Sequence, residues 1–118
     1  VMDPEDYERF PSFDADASAR KWNLWGYIDG RDGAQAVARA LEHGQPGFQA
    51  FIIANADTVM TRSSASLAAE VFPNVAVTKE LGEHETMLFT DKARRLLGFE
   101  PKHRWRIYRS NRTTPTED

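Results

Sequence analysis

Several groups of residues have the types and spacing to do chemistry. Gly82-Glu83-His84-Glu85 sets one imidazole between two carboxylates, a combination suited to acid–base work or to a divalent metal. No second histidine stands at ligand spacing, so no metal site is assigned, and the run otherwise reads as exposed loop. Asp14, Asp16 and Ser18 offer oxygen ligands in a polar stretch, but lack the spacing and glycine of an EF-hand and read as solvated loop. Asp57 and Thr58 follow the apolar run 48–54, at the carboxyl end of an expected strand, where open α/β structures gather their ligands. They are candidate substrate contacts, although Asp and Thr also serve to satisfy turn backbone. Arg104, Arg106, Arg109 and Arg112 interleave with Trp105 and Tyr108. That pattern suits single-stranded nucleic acid and equally a solvated C-terminal tail.

A chain of 118 residues with a formal net charge of −3 supports one domain and one modest core, and does not favour a dedicated nucleic-acid surface. The absence of cysteine removes disulfides and thiolate metal sites and is compatible with a cytoplasmic location. No apolar run reaches membrane-spanning length, and no basic-then-apolar leader opens the chain. Val1 stands without a leading methionine and reads as a cut rather than a natural start.

The elements that must position these residues begin with Asp3 and Pro4, a cap and a first helical position for a short helix over 4–10, which Phe10-Pro11 ends. Residues 24–28 read as a short strand, with Leu24, Gly26 and Ile28 on one face and Trp25 and Tyr27 on the other. The strand turns directly into a helix. Asp29 is its N-cap, Asp32 lies in the favourable field of its first turn, and Gly33, Ala36, Val37, Ala40 and Leu41 form a buried face of small residues. His43 and Gly44 close it. After the Gln45-Pro46-Gly47 turn, residues 48–54 read as a strand covered on both faces. Ser63 or Ser64 caps a helix reaching Phe72, which Pro73 stops, and residues 75–77 read as an edge strand. Thr90 or Asp91 then caps a helix with Ala93, Leu96 and Leu97 inward. Gly98 takes the left-handed position after it, Phe99 folds back, and Pro101 prevents continuation.

Two of these phrases carry a resemblance. Tyr27-Ile28-Asp29-x-Arg31-Asp32-x-Ala34-x-Ala36-Val37 resembles the motif that follows the last Rossmann strands of extended short-chain dehydrogenases/reductases, the NAD-dependent epimerase/dehydratase family. Thr90-Asp91-Lys92-Ala93-Arg94-Arg95-Leu96-Leu97-Gly98-Phe99-Glu100-Pro101, with Trp105 after it, resembles the Asp-x-x-Lys/Arg-Ala-x-x-x-Leu-Gly-aromatic-x-Pro ending of the same family. Val1 and Pro4 match the Val and Pro of an Asn-Val-x-x-Pro segment that lies beside the substrate there. The match runs in order from about Val1 to Trp105.

The resemblance implies an α/β fold, the small C-terminal lobe of an extended short-chain dehydrogenase, with short strands, about three to four helices and the Rossmann domain missing. It implies residues 1–109 as a substrate-binding lobe and 110–118 as a disordered tail. Met2, Asp3, Trp25, Tyr27, Asp57 and Thr58 become the expected substrate contacts, with Trp25 either stacking on a sugar face or packing in the core. No catalytic and no cofactor-binding residue is expected here. The family binds NAD or NADP through Gly-x-x-Gly-x-x-Gly and reacts through Tyr-x-x-x-Lys, whereas Tyr7, Tyr27 and Tyr108 are followed four positions on by Pro11, Arg31 and Arg112. The positions of two diphosphate-pairing arginines in the family's nucleotide-sugar epimerases also lack arginine: one is Trp25, the other falls in 81–89. A UDP-sugar is therefore disfavoured. The expected function is that of a substrate-binding part, inactive alone, of an NAD(P)-dependent epimerase, dehydratase or reductase acting on a sugar or small carbonyl compound. Its expected partners are the missing N-terminal Rossmann domain and the substrate, with no nucleic acid and no membrane. Self-association is expected through apolar surface that domain would cover. The alternative is a stand-alone binding or self-associating module without catalysis.

Overall fold

The computed structural model describes residues 1–113, with side chains through Arg109. Two 3-10 segments, Pro4–Ala15 and Ala17–Asn23, open the chain, followed by the helices α1 (Gly30–Glu42), α2 (Ser64–Val71), α3 (Asp91–Leu97) and α4 (Trp105–Thr113). The local signals explain these boundaries. The Asp29 carboxylate accepts from the Arg31 N–H at 2.8 Å and starts α1. Ser63, not Ser64, caps α2 through the Ser66 N–H at 3.2 Å, while the buried Ser64 hydroxyl donates to the Glu85 carbonyl at 2.6 Å. Gly98 closes α3 at φ 69°, left-handed backbone that a residue without a Cβ adopts without strain. Phe99 then folds back and is buried beside Ala93 and Leu97.

The expected α/β lobe is not what forms. Among the described residues there is no sheet, only isolated bridges pairing Met2 with Asp29 in parallel and Asp57 with Glu85 antiparallel. The expected strand at 24–28 is broken at its start because Leu24 and Trp25 both take left-handed backbone, at φ 53° and 59°. Its remainder is held by isolated bonds and not by a ladder: the Asn55 N–H donates to the Tyr27 carbonyl at 2.7 Å, the Val59 N–H to the Trp25 carbonyl at 2.9 Å and the Met2 N–H to the Ile28 carbonyl at 2.8 Å. The run 48–54 finds no ladder partner. Phe48 is 91% exposed, and the run is tethered by the Lys92 ammonium, which donates to the Ala50 carbonyl at 2.9 Å and sits over the Phe51 ring. Residues 75–77 are exposed and pair with no other described segment, so the expected edge strand does not form. The short helix expected at 4–10 continues as 3-10 turns through Pro11 to Ala15. The tail expected from 110 is helical to Thr113, and positions 114–118 lie outside the described residues.

Two apolar clusters hold the molecule together. Tyr7, Phe10, Trp25, Tyr27, Val59, Met60, Leu67 and Trp105 form the larger, which joins the N-terminal 3-10 segment to α2 and α4. Its rings meet edge to face, Tyr7 on Tyr27 at 6.1 Å and Phe10 on Trp105 at 5.2 Å between centroids. The smaller, of Ile28, Ala36, Ala93, Leu97 and Phe99, packs α1 on α3. Of the face expected to be buried on α1, Ala36 alone is fully inside, while Val37 and Leu41 stand in solvent. The buried side of α1 is instead set one residue earlier in each turn, by Asp32 and Ala36.

Candidate functional site

Three buried carboxylates brace the segments that carry the motif residues. Asp29 accepts the Tyr7 hydroxyl and is clasped by the Arg31 guanidinium through Nε at 2.9 Å and Nη2 at 2.8 Å. Burial works to raise its pKa, but the Arg31 and Tyr7 hydrogen bonds outweigh that and hold it at about 2. Burial first, then the Asp29 bond, pushes the Tyr7 phenol far above its ordinary value. Asp32 accepts from the Lys102 N–H at 2.9 Å and the His103 N–H at 2.8 Å, fixing the segment after Pro101 to the first turn of α1. Asp57 accepts the Tyr27 hydroxyl at 2.7 Å and pairs with Arg106, whose Nη1 also donates to the Thr58 carbonyl at 2.8 Å. The Tyr27 oxygen in turn accepts the Trp105 N–H at 3.1 Å.

These braces place the expected contact residues. Trp25, Tyr27, Asp57 and Thr58 are all buried, within 6% exposure. The Trp25 indole donates to the Ala17 carbonyl at 2.8 Å, and the Thr58 carbonyl accepts the Trp105 indole at 2.7 Å. Met2 exchanges backbone bonds of 2.8 Å with Ile28 and Gly30, and Asp3 heads the first 3-10 segment, its N–H donating to Asp6 at 2.9 Å. Met2 packs partly buried against the larger apolar cluster, and none of the six lines the groove between α2 and α3.

That groove, of about 760 Å³, lies between α2, α3 and the irregular segments 75–81 and 85–90. Leu24 and Ala56 form part of its wall, each next in sequence to an expected contact, Trp25 and Asp57. The rest is chiefly apolar, with Phe72, Val77, Met87 and Leu88 prominent. Gly26 lets Leu88 reach its position: a Cβ there would lie 2.5 Å from the Leu88 Cδ1. A smaller basin of about 380 Å³ adjoins it, sharing Ala56, Thr90 and Arg94 and adding Lys102 and Arg104. Sequence reasoning missed these residues. Their signal was two short apolar triplets, Val75-Ala76-Val77 and Met87-Leu88-Phe89, that belong to no helix.

The other candidate chemistries resolve into structure. His84 Nε2 lies 3.0 Å from the Thr61 carbonyl, and the Glu85 carboxylate pairs with Lys79 at 2.7 Å. Asp14 binds the Thr61 N–H at 3.2 Å, and Asp16 accepts from the Ser18 N–H at 3.1 Å. No group of three or more metal-ligating side chains occurs among the described residues. Trp105 is core and Arg106 is committed to Asp57, so the basic–aromatic run does not form one open face. The first turn of α1 carries the buried carboxylates Asp29 and Asp32, which oppose an anion at that helix end. No helix among the described residues is long and apolar enough to cross a membrane. Comparison with protein-family models, with curated proteins and with solved structures finds no match for this chain.

Proposed function

We propose that the chain is the substrate-binding part of an NAD(P)-dependent epimerase, dehydratase or reductase acting on a sugar or small carbonyl compound, with cofactor and reacting groups carried by a separate Rossmann domain. The observation that carries this reading is the joining of the two family-like phrases into one unit. Ile28 and Ala36 of the first pack against Ala93, Leu97 and Phe99 of the second. The Gln35 side chain is bonded to the Glu100 backbone on both sides, donating to its carbonyl at 2.7 Å and accepting its N–H at 3.2 Å. In this reading the motif residues are scaffold, and the groove beside them receives the ligand. Concave apolar surface with a few polar groups is the usual form of a small-molecule site.

A thermal-shift panel of sugars, uronic acids and small ketones on this chain, with NADH and NADPH as further members, tests the proposal. Stabilisation by a panel compound and none by either dinucleotide is the expected result. No response to any compound would overturn the substrate-binding role. A response to NADH would overturn the division of labour.

One observation favours a second reading, a self-associating module. Val37, Leu41, Phe48 and Ile52 leave apolar surface on and after α1 in solvent, with Leu41 82% exposed.

A further inference from the structure

The groove and its adjoining basin differ in charge along their length. The groove wall is mainly apolar, and its Lys79 and Glu85 neutralise each other at 2.7 Å. The adjoining basin brings Arg94, Lys102 and Arg104 together. Arg94 is paired with Asp91, and Lys102 with Glu100 at 3.3 Å. Arg104 has no ion pair among the described residues. One end of an apolar channel therefore carries a positive charge that the protein leaves uncompensated, and Arg94 stands where the two spaces meet.

We infer that this site takes an amphiphile with an apolar body and a single anionic end, carboxylate or phosphate. The body lies against Val77, Met87 and Leu88, and the anion lies toward Arg94 and Arg104. The inference rests on the reading of the groove as the ligand site and, of the two substrate classes named there, keeps the carbonyl compounds and sets aside the sugars. An apolar body removes the wall from water, and a terminal anion answers the unpaired guanidinium. A compound hydroxylated along its whole length would place its polar groups against Val77, Met87 and Leu88, where they lose water without gaining partners.

The test is a nuclear-magnetic-resonance titration of the 118-residue chain with octanoate, octyl phosphate and neutral 1-octanol. The expected result is that both anions shift the amides of Val77, Met87, Leu88 and Arg94 and bind more tightly than octanol. The stronger of the two anions identifies the end group. Arg104→Gln, at an exposed side chain, should weaken anion binding about fivefold and leave octanol unchanged. Equal affinity for octanol and the anions, or no effect of R104Q, would overturn the anionic assignment while leaving the groove as a ligand site. Groove amides that respond to none of the three would overturn both.

Discussion

The Tyr7 hydroxyl donates to the Asp29 carboxylate across 22 positions of chain, in the interior. This bond ties the N-terminal 3-10 segment to the first turn of α1, and Arg31 closes the same carboxylate from the solvent side. The folded pKa of Asp29, about 2, lies below its ordinary 3.8. A depressed carboxyl stabilises the fold above its unfolded pKa, and that contribution is lost as pH falls toward the folded one. Acid titration should therefore show a loss of stability between about pH 4 and pH 2, amounting to about 2 kcal/mol. Asp29→Asn should remove most of this acid dependence and destabilise the protein at neutral pH by a similar amount. Denaturant unfolding at several pH values reads both.

Tyr27 is the second brace. Its hydroxyl donates to Asp57 and accepts from the Trp105 N–H. Tyr27→Phe keeps the ring but leaves two buried polar groups short of a partner, and should cost about 1–3 kcal/mol. Burial and the neighbouring Asp57 charge push the Tyr27 phenol far above 10.0. An acid held protonated in the fold loses stability once pH passes the unfolded value. Unfolding should accordingly become easier above about pH 10, and less steeply in the Phe variant, as followed by circular dichroism.

Gly26 links this core to the groove. Gly26→Ala would set a methyl against the Leu88 side chain, with the Asn23 carbonyl also close at 3.2 Å. Leu88 would have to shift, at about 1–3 kcal/mol for an overpacked site. Because Leu88 is groove wall, the substitution should also weaken octanoate binding. A stability loss with unchanged binding would place Leu88 outside the ligand's reach.

What could be read from the residues was local. Asp29, Ser63 and Gly98 declared helix ends because a cap acts through bonds to its own neighbours. Phe99 folding back and Pro101 ending the turn were legible for the same reason. The strands were not, since a strand exists only if another segment completes its ladder. Residues 48–54 have the composition of a buried strand and still lie largely in solvent. Leu24 and Trp25 are types for which left-handed backbone is not anticipated, yet both adopt it. In the site, the side-chain types of Trp25, Tyr27, Asp57 and Thr58 suit ligand contact, and in the structure all four bond other parts of the chain. Trp105 and Arg106 lie 47 to 78 positions from the residues they meet, so no spacing rule could join them.

The apolar surface formed by Val37, Leu41, Phe48 and Ile52 predicts association of the isolated chain. Light scattering should give a mass that rises with concentration above 13.4 kDa. Leu41→Lys together with Phe48→Ser should return it toward the monomer with little effect on unfolding, both side chains being exposed. A wild-type chain that stays monomeric at high concentration would contradict this.

If cofactor and reacting groups are carried by a separate Rossmann domain, as proposed, the transcript ahead of the Val1 codon encodes that domain. It should continue in frame into a strand followed by Gly-x-x-Gly-x-x-Gly, with Tyr-x-x-x-Lys further on. A frame that opens at this chain, or one carrying neither motif, would contradict the account.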